Sequence, residues 1–119
     1  MTLQFYWYPK CGTCRKAKQW LEAHDLDFEA IHIVEQPPSE EKLREVLEKS
    51  GLEPKKLFNT SGKKYRELGL KDKLQDMELD EMLKYLSADG MLIKRPLTIG
   101  DKQATVGFKE ATFEDTWTK

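Results

Sequence analysis

Leu3-Gln4-Phe5-Tyr6-Trp7-Tyr8-Pro9-Lys10-Cys11-Gly12-Thr13-Cys14-Arg15 is the stretch that decides the fold. The apolar and aromatic run from Leu3 to Tyr8 has the length and residue types of a buried strand. Pro9 ends it. From Thr13 to His24 the apolar spacing becomes helical, with Ala17, Trp20 and Leu21 on one face and Arg15, Lys16, Lys18 and Gln19 on the other. Two cysteines therefore fall where a strand hands over to a helix. Phe28 to Val34 carries apolar residues in partial alternation and predicts a second strand. Strand, helix and strand in this order make a βαβ unit, which implies parallel pairing and a right-handed crossover.

Downstream, Pro37-Pro38-Ser39-Glu40-Glu41 announces a helix. Ser39 can cap its free amides, and two acids sit in the first turn where the helix dipole favours them. Leu43, Val46 and Leu47 form the apolar face, and Gly51 terminates it. Pro54 to Leu70 reads as short helices broken by Asn59-Thr60-Ser61-Gly62, and Glu78 to Ala88 as a firmer helix closed by Asp89-Gly90. Met91 to Leu97 leads into a strand, Gly100-Asp101 supplies turn chemistry, and Ala104 to Phe108 returns antiparallel. Thr112 is the expected cap of a closing helix with Phe113 and Trp117 on one face. This order predicts an α/β chain with a thioredoxin-like fold, a mixed four-stranded sheet and a helical insertion, as one domain over 1–119.

The composition is consistent with that reading and excludes several functions. At 119 residues the chain suffices for one core without metal or disulfide staples. Its 20 Lys+Arg against 21 Asp+Glu give a net charge of −1, which offers no broad basic footprint for nucleic acid or an anionic membrane. No apolar run approaches the length of a membrane span. No basic residue precedes Phe5 and no small-residue cleavage site follows the apolar stretch, so a cytoplasmic location is expected.

Cys11-Gly12-Thr13-Cys14 carries the chemistry. With Cys11 as the N-cap, Cys14 is the third helical residue, and the Cys11 sulfur faces the amides of Thr13 and Cys14. Such a site favours the thiolate, which is the nucleophilic form. An ordinary thiol is only ~3% ionised at pH 7, and moving its pKa to about 6.5 needs roughly 2.7 kcal/mol. A helix dipole supplies about 0.3–1 kcal/mol, or ~2 in favourable partly buried sites, so amide hydrogen bonds or a nearby cation must add the rest. Lys10 and Arg15 flank the motif, and Arg95 is a cation the fold can bring in. Cys14 is spaced to attack a mixed intermediate on Cys11. The competing readings are a zinc site and a pair of inert buried thiols. Zinc wants four ligands, and the only histidines, His24 and His32, lie on different expected elements. No metal is therefore expected. The helix-start position speaks against inert thiols.

Five segments taken together resemble the glutaredoxin-linked arsenate reductase and Spx family. They are Tyr8 to Arg15, Glu35-Gln36-Pro37-Pro38, Tyr65 to Leu70, Leu92 to Leu97, and Val106-Gly107-Phe108-Lys109. The resemblance implies a nucleophilic Cys11 and a cis peptide before Pro96. The arsenate reductases attack arsenate through their cysteine, hold the oxyanion with arginines, and are recycled by glutathione and glutaredoxin. Arg95 matches one such arginine, while the other two positions fall at Asn59 and at Phe108 or Lys109. Those reductases usually carry Ser where this chain has Cys14. The Spx regulators instead share the second cysteine, use the CxxC disulfide as a switch, and bind the RNA polymerase α subunit. The first expectation is thus an arsenate-reductase-like oxidoreductase acting on a small oxyanion or disulfide. Cys11 is its nucleophile and Cys14 its resolving thiol; Arg15, Arg95, Lys109 and Asn59 bind the anion or steady the thiolate. No bound cofactor is expected, only an external reductant, either glutathione with glutaredoxin or thioredoxin. The alternative is a redox-switched regulator that binds the RNA polymerase α subunit.

Overall fold

The computed structural model describes residues 2–118. Its elements are β1 (Leu3–Trp7), α1 (Gly12–Ala23), β2 (Phe28–His32), α2 (Glu40–Ser50), α3 (Lys63–Glu67), α4 (Leu70–Lys73), α5 (Leu79–Ala88), β3 (Leu97–Ile99), β4 (Ala104–Val106) and α6 (Glu110–Trp117). The four strands form one sheet in the order β2-β1-β3-β4. β1 and β2 run parallel, with Leu3 opposite Phe28 and Trp7 opposite His32. β3 is antiparallel to both β1 and β4. The expected mixed α/β sheet and parallel βαβ unit are therefore present.

Alternation along β1 sends its side chains to opposite faces. Leu3 and Phe5 pack with Ala17, Trp20 and Leu21 of α1 and with Phe113 and Trp117 of α6. Tyr6 faces the other side, where Leu43 and Val46 of α2, Met82, Leu83 and Leu86 of α5, and the insertion residues Tyr65 and Leu70 close over the sheet. Phe113 is fully buried, with Phe108 and Trp20 edge-on to it at ring separations of 4.7 and 5.2 Å. Burying a side chain of this size contributes about 2–3 kcal/mol. These contacts hold α1 and α6 side by side on one face of the sheet.

Local chemistry sets the helix limits. The Lys42 amide donates to Ser39 Oγ at 3.1 Å, and α2 ends at Gly51 with φ +71°. His24 follows α1, its Nδ1 2.8 Å from the Trp20 carbonyl and its ring stacked on Trp20. The insertion is as broken as its sequence suggests, with a single 3₁₀ turn at Pro54–Leu57 before the short α3 and α4.

Three boundaries differ from expectation by two residues or more, the first being β2, which ends at His32 rather than Val34. Thr112 is not the cap of α6: the helix begins at Glu110, Lys109 is the N-cap, and the Phe113 amide donates to the Lys109 carbonyl at 3.0 Å. The physical reason is Gly107, whose φ of +82° turns the chain sharply out of β4 and starts the helix early. The same turn ends β4 at Val106 rather than at Phe108.

Candidate active site at the end of β1

Cys11 is the residue before α1, in extended backbone with φ −91° and ψ 118°. Its amide donates to the Tyr8 carbonyl at 2.9 Å, and its own carbonyl accepts the first helical bond from Arg15 at 3.1 Å. These two bonds fix the cysteine at the mouth of the helix. Cys11 is half-buried, whereas Cys14, one turn on, is wholly buried behind it.

Their thiols are displaced in opposite directions. Partial burial is the largest single influence on Cys11 and raises its pKa. It is outweighed by the Cys14 amide, the Cys14 thiol, and both the hydrogen bond and the charge of Arg95, so Cys11 lies below its ordinary value of 9.0. The sulfur does not complete a full capping hydrogen bond, yet the Cys14 amide is the strongest of the lowering contacts. The expectation of two amides reduces to this one. Burial, against a smaller opposing contact from the Tyr8 backbone, combines with the neighbouring Cys11 to push the Cys14 thiol up to about 12. One sulfur is thus prepared to ionise and the other is held protonated.

Arg95 reaches the site from the segment before β3, where the Arg95–Pro96 peptide is cis. Its Nη1 donates to the Met91 carbonyl at 3.3 Å, and its guanidinium carbon lies 5.4 Å from the centre of the Tyr8 ring. Its Nε is buried without a protein partner. Arg15 is exposed and donates to the Pro9 carbonyl at 3.3 Å, and it is not among the groups that lower the Cys11 pKa.

Asn59 comes from the insertion. A single antiparallel bridge joins Phe58 to Ile93. Around it the Asn59 amide donates to the Leu92 carbonyl at 2.8 Å and the Lys94 amide to the Leu57 carbonyl at 2.7 Å. Gly62 leaves room for this side chain, since a Cβ there would stand 2.8 Å from Asn59 Nδ2. Cys11, Asn59, Arg95 and Lys109 line one open groove of about 750 Å³. Neither Cys14 nor Arg15 lines it.

Thr13, Lys56, Ser61 and Lys94 also line the groove, and sequence reasoning did not find them. Lysine in exposed loops carries no local signal of convergence. Tyr8, the platform beneath Arg95, reads from the sequence only as a strand residue, because its contact with Arg95 joins distant parts of the chain. His32 does more than fill a strand position, because its Nδ1 accepts from the Val34 and Glu35 amides. Among the described residues no group of three or more His, Cys, Asp or Glu side chains is placed to hold a metal ion. No helix among them is long and apolar enough to cross a membrane.

A strand-to-helix junction carrying two cysteines, beside a cis-proline on this sheet, is the arrangement of a thioredoxin-like thiol protein. The ArsC family model matches residues 6–116, and the chain belongs to that family. It is 64% identical over 117 residues to the uncharacterized protein YusI of Bacillus subtilis strain 168, covering 98% of this chain and 99% of that one. The crystal structure of a possible arsenate reductase from Streptococcus mutans UA159 is 52% identical, covers 95% of each chain and superposes with a TM-score of 0.87. The global transcriptional regulator Spx of Lactiplantibacillus plantarum is 31% identical over 105 residues, or 88% of this chain and 78% of Spx. Both branches of the resemblance are therefore represented among its relatives.

Proposed function

We propose that the chain is a thiol-disulfide oxidoreductase of arsenate-reductase type, with Cys11 as nucleophile and Cys14 as resolving thiol. The observation that carries this reading is the placement of the two thiols one helical turn apart. Cys11 is half-buried at the mouth of α1 and lines the groove with Arg95, and Cys14 is buried behind it. Their opposite displacement agrees with that placement. Cys11 attacks an oxyanion or a disulfide sulfur while Arg95 balances the thiolate. Once Cys11 is bonded to substrate it has no negative charge, so its contribution to holding Cys14 protonated disappears. Burial still holds the Cys14 thiol up, but it now gives up its proton more readily as it attacks the Cys11 sulfur, closing a disulfide and releasing the reduced product. The high resting pKa of Cys14 is in this sense a gate on the order of events.

Asn59 and Lys109 stand in the groove with Arg95, and we assign them to anion contact. A tetrahedral oxyanion would then meet a single guanidinium, with lysine ammonium groups as point charges in place of a set of bidentate arginines, which favours a disulfide over arsenate as substrate. The external reductant in this reading is a small thiol with glutaredoxin, or thioredoxin. The test is turnover of arsenate and of a model disulfide with each reductant. Disulfide turnover that vanishes in Cys11→Ser supports the assignment, and no thiol-dependent turnover of either overturns it.

Cys14 also favours a second reading, a redox-switched regulator that binds the RNA polymerase α subunit, since the regulator Spx is among the relatives. A pull-down with that subunit, comparing reduced and oxidised protein, decides it. Binding that follows the redox state supports the regulator, and its absence in both states removes it.

A further inference from the structure

The groove at Cys11 runs along the open edge of the sheet. β4 is the last strand in the order, and Ala104, Thr105, Val106 and Gly107 all line the groove. The ladder fixes which backbone groups face outward. The Gly107 amide donates to the Pro96 carbonyl and the Gly100 amide to the Gln103 carbonyl, both at 2.8 Å. With Thr98 opposite Thr105, these bonds make 98–105 the hydrogen-bonded pair. Ala104 and Val106 therefore turn their N–H and C=O groups away from β3, and among the described residues no other strand takes them up. The edge is recessed, with Ala104 only 7% exposed.

The charge around this edge is one-sided. Lys56, Lys94, Arg95 and Lys109 line the groove and no acidic residue does. None of the four pairs with a carboxylate among the described residues, although six other basic residues of the chain do. A chain with net charge −1 has thus gathered four cations that lack a carboxylate partner among the described residues beside an open strand edge and the Cys11 thiol.

We infer that β4 is a docking edge for an extended, acidic segment of a partner protein, which pairs with Ala104 and Val106 and presents its own disulfide to Cys11. Strand addition supplies main-chain affinity, and the cations select acidic side chains. This inference rests on the nucleophilic role proposed for Cys11. In the reaction the Cys11 thiolate attacks one partner sulfur, the partner S–S bond breaks, and the departing thiolate takes up a proton. Cys14 then gives up its proton and attacks Cys11, which frees the second partner thiol. The partner gains two electrons and two protons, and this chain is left with a Cys11–Cys14 disulfide.

The test uses the full chain and synthetic peptides of about ten residues, long enough to span the edge at 3.3 Å per residue. Each peptide carries one cysteine disulfide-bonded to 5-thio-2-nitrobenzoate, whose release reports attack by Cys11. Three versions are compared: acidic flanks, lysine flanks, and acidic flanks with alternate backbone amides N-methylated. The acidic peptide is expected to react about tenfold faster than the lysine peptide. N-methylation is expected to remove about fivefold of that rate, because it deletes main-chain donors. The Ala104 and Val106 amide resonances of labelled protein are expected to move with the acidic peptide. Equal rates for the three, or a charge preference indifferent to N-methylation with both amides unmoved, overturns the docking edge. 2,2′-Dithiodipyridine, small and uncharged, separates the two ideas. Normal reaction with it, without peptide discrimination, removes the docking edge alone. Failure with it as well removes the nucleophilic Cys11.

Discussion

Alkylation of the two cysteines should be strongly unequal, and the opposite displacement of the two thiols gives the inequality an approximate size. With its thiol pushed up to about 12, Cys14 is ionised to about one part in thirty thousand at pH 7.5. Cys11, lowered from 9.0, is ionised to more than ~3% at the same pH. The thiolate populations therefore differ by at least about a thousandfold. A thiolate of higher pKa is intrinsically more nucleophilic, by about twentyfold over three units at a Brønsted slope near 0.45. The net preference for Cys11 is then at least about fiftyfold, before the burial of Cys14 adds to it. Pulse labelling with isotopic iodoacetamide, quenched and read by peptide mass, measures both rates in one wild-type sample. The Cys11→Ser variant extends the test. It deletes the Cys11 contribution but leaves burial, the largest cause, so Cys14 should quicken and still fall short of an exposed thiol. Cys14 labelled within tenfold of Cys11 in the wild type would refute this reasoning.

Three further perturbations act on separate links of the account. Arg95→Met removes the hydrogen bond and charge that favour the Cys11 thiolate. With the charged hydrogen bond discounted for the half-exposed site to about 1 kcal/mol, the thiolate population falls about fivefold, and after the roughly twofold gain in intrinsic nucleophilicity alkylation at pH 6.5 should slow about two- to threefold. An unchanged rate would show that the Cys14 amide suffices. Gly90→Ala should cost about 3 kcal/mol with an unchanged urea m-value, because its Cβ would stand 2.0 Å from the Ile33 carbonyl oxygen. A loss below 1 kcal/mol would contradict that close packing. Finally, the Cys14 proton is held to about 12 in the fold but leaves near 9 in the unfolded chain. Between those values the native state binds more protons, so stability falls as pH rises. Urea melts should show a steeper decline for wild type than for Cys14→Ser, and parallel curves would count against a raised Cys14.

What could be read in advance was local. The first strand, expected over Leu3 to Tyr8 and formed over Leu3 to Trp7, the amphipathic spacing of Ala17, Trp20 and Leu21, the Ser39 cap and the Gly51 stop each act through residues a few positions apart. Thr112 misled because a left-handed glycine five residues upstream moved the start of α6. The cysteine pair was legible because its meaning depends only on the junction it occupies. Asn59 and Arg95 were picked out by resemblance, but their convergence depends on the Phe58–Ile93 bridge, which joins segments 35 positions apart. The groove lysines come together through the same long-range pairing and through the hairpin, so no window of sequence contains them.

Intact mass shows whether Cys11 and Cys14 form one reversible redox couple. Reduced protein is treated with a slight excess of a small disulfide, quenched with acid and weighed. Wild type should lose about 2 Da, regain them with dithiothreitol, and carry no adduct, whereas Cys14→Ser should stop at the mixed disulfide on Cys11. A stable adduct on wild type, or two thiols left unreacted in the folded protein, would contradict the account.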